Sequence, residues 1–171
     1  TVIVADINAA AGERIAREVE GKFVQADVTK GDDWAKLLLA AGGGLDIIVN
    51  NAGWTHRNKP YLEVTEAEFD RVYAVNVKSL FHSARNVVPH FRQKGGGVFV
   101  TVASTAGVRP RPGLVWYNSS KGAAIVASRS MAVELAPDKI RVNVVNPVAG
   151  DTPLLAEFMG GDTPELRAKF V

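Results

Sequence analysis

The sequence predicts an α/β fold built as a doubly wound parallel sheet, and three observations carry that prediction. Short apolar runs alternate along the chain with longer segments of helical periodicity. Those runs are mostly continuous in apolar character, as strands are when helices cover both faces of a sheet. The chain has 171 residues, 47% hydrophobic and 22% charged, a balance that suits one domain with one core.

Taken in order, Val2 to Asp6 (VIVAD) reads as a buried strand and Ala9 to Val19 as a helix. Lys22 to Val28 is a second strand, closed by the Thr29-Lys30-Gly31 turn. A short helix over Trp34 to Ala41 stops at Gly42 to Gly44, and Leu45 to Asn50 (LDIIVN) is the third strand. Thr65 and Glu68 form a capping-box pair that opens a long helix. Phe69, Val72, Tyr73, Asn76, Leu80 and Phe81 recur along it at helical spacing, and it ends near Lys94. Val98 to Val102 is a fourth strand. A helix from Trp116 to Ala136 stops at Pro137, which has no amide hydrogen to continue it. Ile140 to Val145 is the fifth strand. Nothing marks a linker or repeat, so residues 1–171 read as a single domain.

Composition excludes several classes of function. The net charge of +2 comes with no basic cluster, so neither nucleic acid nor a membrane surface is an expected partner. With no cysteine, disulfides, thiolate metal sites and cysteine nucleophiles are out, and a reducing, cytoplasmic setting is the expectation. No apolar run approaches the roughly 20 residues that span a bilayer. His56, His82 and His90 have no spacing with carboxylates that suggests a metal site, and they read as surface or partly packed. The chain opens inside an apolar run without an initiator Met, so it is expected to begin partway through a longer protein.

In such sheets ligands bind beyond the carboxyl ends of the strands. Asp6 ends the first. A carboxylate there suits the hydroxyls of an adenosine ribose and repels a 2′-phosphate, which favours NAD over NADP; a helix N-cap is the equal alternative. Asp27-Val28 ends the second, where the carboxylate could meet an adenine amino group with Val28 near the ring, or Asp27 could simply cap a turn with Thr29. Asn50-Asn51-Ala52-Gly53 ends the third, with small residues that admit a ligand close to the backbone. Ser104 lies just past the fourth strand. Tyr117 and Lys121 are four apart, on one face of a helix. A nearby ammonium favours the phenolate, bringing a group that normally titrates near 10 closer to neutral pH.

Together these residues resemble the short-chain dehydrogenases/reductases over essentially the whole chain. The resemblance is carried by Asp6, Asp27-Val28, Asn50 to Gly53, Asn76 in VNVKS, Ser104 in ASTAG, Tyr117-Asn118-Ser119-Ser120-Lys121, Asn146-Pro147 and Thr152-Pro153. It implies a Rossmann-like three-layer fold and a hydride transfer between NAD(H), with NADP(H) less favoured, and a secondary alcohol or ketone. In that scheme Tyr117 exchanges the proton with the substrate oxygen and Ser104 holds that oxygen. Lys121 binds the nicotinamide ribose and lowers the Tyr117 pKa, and Asn76 holds a relay water. Pro147, Val148 and Thr152 lie over the nicotinamide. The family also implies dimers or tetramers formed through the two long helices.

Two departures stand out. The family's glycine-rich phosphate turn, T-G-x-x-x-G-x-G, would precede residue 1, and the last strand would follow the end. The fold is therefore expected to be incomplete at both ends, and the sheet to lack the strand that lies between residues 2–6 and 45–50. Val148 also replaces the glycine that usually follows Asn-Pro. Trp54, Arg109, Arg111, Trp116, Leu154, Phe158 and Met159 are candidate pocket residues. The stretch looks most like reductases of 3-oxoacyl thioesters and dehydrogenases of sugars or secondary alcohols. The competing reading is a binding or regulatory protein that keeps this fold without catalysis; the presence of Asn76, Ser104, Tyr117 and Lys121 together favours the enzyme.

Overall fold

The computed structural model describes residues 1–150, 152 and 154–170, with backbone alone at 169 and 170. Pro153 of the family motif lies outside the described residues.

Five parallel strands form: β1 (Ile3–Asp6), β2 (Lys22–Gln25), β3 (Ile47–Asn50), β4 (Gly97–Val102) and β5 (Ile140–Val145). They fall into two sheets, β1-β2 and β3-β4-β5, with β1 and β3 unpaired to each other. The absence of a ladder between them matches the central gap expected from the sequence. The helices are α1 (Ala9–Glu18), α2 (Gly31–Ala41), α3 (Glu66–Tyr73), α4 (Ser79–Lys94), α5 (Val115–Glu134), α6 (Leu154–Met159) and α7 (Pro164–Phe170).

Local chemistry sets most boundaries. Asn8 caps α1 by accepting from the Ala11 amide at 3.1 Å. Thr65 and Glu68 close their capping box at the start of α3. Gly95, in the left-handed region, ends α4. Several boundaries differ from the sequence reading, among them the start of α2, which begins at Gly31 and not Trp34. β2 stops at Gln25 because Asp27 turns the chain, accepting from the amide and hydroxyl of Thr29 at 3.0 and 2.7 Å. β3 begins at Ile47, although the Asp46 carbonyl already accepts from the Val98 amide of β4 at 3.0 Å; Lys94 reaches Leu45 O and the Asp46 carboxylate beside it. The long helix is not uniform: a π turn over Ala74–Lys78 separates α3 from α4 and contains Asn76.

The main core lies on one face of β3-β4-β5. Trp34 of α2, Val87, Val88 and Phe91 of α4, Phe99 of β4, Leu135 and Ile140 pack there, with the Phe91 and Phe99 rings 5.3 Å apart. On the opposite face Ile47 and Val49 are each 56% exposed. The apolar strand sequences predict cover on both faces, and the described chain covers one, because α2, α4 and the end of α5 all pack on the Phe99 side.

Candidate active site

The site assembles where β3, β4 and β5 end. Beyond β4 the chain stays extended, tied to β5 by the Ala103 amide bonding to Val145 O at 2.9 Å. Thr105 then bonds to Pro147 O through its amide at 3.1 Å and its hydroxyl at 3.3 Å. Ser104 is fixed between these two ties, and its hydroxyl oxygen accepts from the Ala106 amide at 3.1 Å. Tyr117 lies in the first turn of α5 and Lys121 one turn later, at 6% and 5% exposure.

Lys121 Nζ donates to Val102 O, the last carbonyl of β4, at 2.9 Å, and lies 5.8 Å from the centre of the Tyr117 ring. Burial lowers the pKa of this amine to about 8. The Tyr117 phenol moves the other way: burial raises its pKa, and a hydrogen bond from Ser104 partly counters that. This corrects the expectation that Lys121 brings Tyr117 down. In this chain the loss of water around the phenol is the larger effect, and the ammonium is aimed at a carbonyl.

Asn76 is buried in the π turn and its side chain is fully committed. Its Oδ1 accepts from the Trp54 amide at 2.8 Å, and its Nδ2 donates to Trp54 O and to Ser120 Oγ, both at 2.9 Å. Ser120 in turn donates to Tyr117 O at 2.7 Å. One amide thus joins the turn after β3, the π turn and α5. Gly53 completes this junction: a Cβ there would stand 3.3 Å from Lys121 Nζ and 3.6 Å from Asn76 Oδ1.

The residues expected to act on the substrate or to touch a cofactor divide into two groups. Gly53, Ser104, Tyr117, Lys121 and Pro147 converge as described. Asn50 ends β3, Asn51, Ala52 and Val148 are exposed just past the strand ends, and Thr152 is exposed before α6, its carbonyl accepting from the Leu155 amide at 2.9 Å. Asp6 and Asp27 close the other sheet. Asp6 Oδ1 accepts from the Asn8 amide at 2.8 Å, and Asn8, not Asp6, caps α1. Asp27 makes the Thr29 turn that was its alternative reading, which holds its carboxyl below its usual pKa. Val28 packs, partly buried, against the main core cluster, and its carbonyl accepts from Trp34 Nε1 at 3.0 Å. The small-residue cradle at Gly53, open strand ends and a buried ammonium fit an extended nucleotide entering from this edge.

The pocket candidates also sort. Phe158 of α6 packs on the Tyr117 ring at 5.0 Å, in a cluster with Ala106 and Leu114. Trp54 instead stacks under the Arg71 guanidinium at 4.4 Å, and Trp116 meets Phe69 edge-on at 5.1 Å, so both lean on α3. Arg109 and its neighbourhood follow the Ser104 turn, with the Arg109 amide bonded to Thr105 O at 2.7 Å. His56, read as surface or partly packed, is fully buried, with Nδ1 bonded to Arg57 O at 2.8 Å. Sequence reasoning missed Asn58, whose partners lie 54 and 100 residues away. Asn118, named only as part of the Tyr117–Lys121 motif, donates to Arg111 O at 2.8 Å. Among the described residues no cluster of three metal-ligating side chains occurs, and no helix is long and apolar enough to cross a membrane.

A buried Tyr–Lys pair one helical turn apart, with a serine just past a neighbouring strand end, sits on a dinucleotide-type fold. Comparison with known proteins supplies the class: the short chain dehydrogenase family matches residues 1–161, and the chain belongs to that family of nicotinamide-dependent oxidoreductases. It is 51% identical to 4-formylbenzenesulfonate dehydrogenase of Comamonas testosteroni, over 99% of this chain and 71% of that one. It is 35% identical to 7α-hydroxysteroid dehydrogenase of Escherichia coli, over 100% of this chain and 68% of that one. Among solved structures, 3-ketoacyl-(acyl-carrier-protein) reductase of Brucella melitensis, complexed with NADH, superposes with a TM-score of 0.91 at 41% identity. That match covers 98% of this chain and 71% of the other.

Proposed function

We propose that this chain carries the catalytic part of an NAD-dependent dehydrogenase that interconverts a secondary alcohol and its ketone, with Tyr117 as general acid–base. The observation that supports this most strongly is the Ser104–Tyr117–Lys121 arrangement, buried and braced through Ser120 and Asn76. A bound nicotinamide supplies hydride exchange at the substrate carbon. Ser104 holds the substrate oxygen, and Tyr117 takes or gives its proton. Lys121 would bind the nicotinamide ribose, its ammonium standing 5.8 Å from the centre of the Tyr117 ring. Asn76 keeps the turn after β3 against α5 and holds the water that links Lys121 to solvent. Asp6 reads the ribose hydroxyls and favours NAD over NADP; Asp27 and Val28 border the adenine; Asn50 to Gly53, Pro147, Val148 and Thr152 border the rest.

The wall formed by Leu114 and Phe158 supports a substrate with an apolar or ring substituent. Exposed Phe81 on α4 and Val126 and Val133 on α5 support a dimer or tetramer formed through these helices. We place the protein in the cytoplasm, a location that cell fractionation tests.

The decisive experiment is a panel of alcohols, ketones and aromatic aldehydes with NAD(H) and NADP(H), run on the native-length protein and on Tyr117→Phe. Turnover with NAD(H) that the substitution abolishes is the expected result. Unchanged turnover in the variant refutes the role of Tyr117, and a preference for NADP(H) refutes the reading of Asp6.

A further inference from the structure

Three consecutive residues, Arg57, Asn58 and Lys59, tie together segments that are far apart in the chain. The Asn58 amide donates to Glu157 O at 2.9 Å, and its Nδ2 donates to both Phe158 O and Pro112 O at 3.1 Å. Arg57 Nε donates to Gly160 O at 3.0 Å. The Lys59 amide donates to Gly113 O at 3.1 Å, and its ammonium bridges Glu68 at 2.8 Å, at the capped start of α3. Of these carbonyls, those of Glu157 and Phe158 lie in the last turn of α6 and that of Gly160 just past it, where a helix runs short of amide donors; Glu157 O also accepts from the Gly160 amide at 3.3 Å.

A helix of six residues does not hold itself in place. The position of α6 is set by these bonds and by the Phe158 ring lying on Tyr117. Asn58 is suited to this task in a way its isostere is not. Both amide hydrogens are used, one on each of two carbonyls, whereas a carboxylate has no donor and would repel both. Gly113 confirms how closely the strap is built. It has φ +75°, and a Cβ there would overlap the Asn58 side-chain amide.

The geometry points to Asn58 as a positioning and specificity-determining residue: it seats α6 so that Phe158 covers Tyr117, and so sets which substrates reach the phenol. This rests on Tyr117 being the reacting group. The main core does not include α6 or this strap, so loosening the strap leaves the rest of the fold standing.

The test compares Asn58→Asp and Gly113→Ala with the unaltered native-length protein, using Tyr117→Phe as a separate control. Backbone hydrogen exchange over residues 154–161 reads the seating of α6. Loss of two side-chain hydrogen bonds predicts exchange faster by roughly tenfold in Asn58→Asp, with the melting temperature nearly unchanged. Nitration of Tyr117 by tetranitromethane, mapped by mass spectrometry, reads access without turnover, and it is expected to rise in both variants. With the best substrate of the panel and a homologue one ring larger, selectivity in kcat/KM is expected to shift toward the larger, mainly through KM. Unchanged exchange overturns the seating role. Faster exchange with unchanged nitration and selectivity overturns the control of access. If Tyr117→Phe keeps full turnover while the variants behave as expected, the catalytic reading fails and the seating of α6 stands.

Discussion

The two sheets of this chain are built to different standards. On β3-β4-β5, Phe99 and Ile140 pack with Phe91 and Val87 of α4 into one cluster, all at most 2% exposed. Every proposed proton-handling group hangs from that half. In β1-β2 no strand residue is fully buried, and the acidic side chains at the strand ends are bonded into local turns. Groups that must stand within a fraction of an ångström of a reacting bond sit on the rigid half. Groups that need only touch a long, adaptable ligand sit on the thin one.

The largest effect that can break this comparison is chemical. Tyr117→Phe is expected to lower kcat by about 10²–10⁴-fold while leaving thermal unfolding nearly where it was. A large fall in stability would mean that Tyr117 is a packing residue of the rigid half. Next comes a paired core truncation followed by denaturant unfolding. Phe99→Ala is expected to cost about 3–5 kcal/mol, and Phe23→Ala in β2, which is half-buried, about 1–2 kcal/mol. Equal costs would remove the distinction between the halves.

Lys121 sharpens the comparison because the rigid half carries a burden for function. Its pKa falls from 10.5 to about 8 on folding, so the folded state gives up a proton that the unfolded chain keeps. Stability of the cofactor-free protein is therefore expected to rise with pH between about 8 and 10.5, and to be lower on this account below pH 8. Lys121→Met is expected to gain about 1–3 kcal/mol at pH 7, less than the full shift because the bond to Val102 O is lost, while turnover disappears. Urea melts at several pH values check both statements. The smallest expected effect is at the start of α3, where Thr65→Ala removes one side of the capping box and costs about 1 kcal/mol.

Most strands were legible because an apolar run bounded by glycine or aspartate has few other readings. The pairing of Tyr117 with Lys121 was legible because helical spacing alone puts residues four apart on one face. The division of the long helix was not: Asn76 has the periodicity of its neighbours, and the π turn arises from contacts with Trp54 and Ser120, 22 and 44 residues away. The direction of the Tyr117 shift was hidden for a similar reason. Sequence shows the neighbouring charge and not the dry surroundings that outweigh it. Asn58 sits in an irregular loop with no period to read, and its importance comes wholly from carbonyls distant in sequence. The bare face of β3 escaped because strand composition records that a side chain prefers burial, without recording what provides it.

That face and the adjacent gap carry a consequence for how the chain behaves in bulk. Among the described residues, β1 and β3 each present one side without a ladder partner. Neither strand, IVAD nor IIVN, carries a lysine or proline that would discourage a visiting strand. Expressed alone, the 171-residue chain is expected to pair with its own copies along these rims, beside exposed Ile47 and Val49. Light scattering should therefore grow with protein concentration, and Val49→Lys should suppress it.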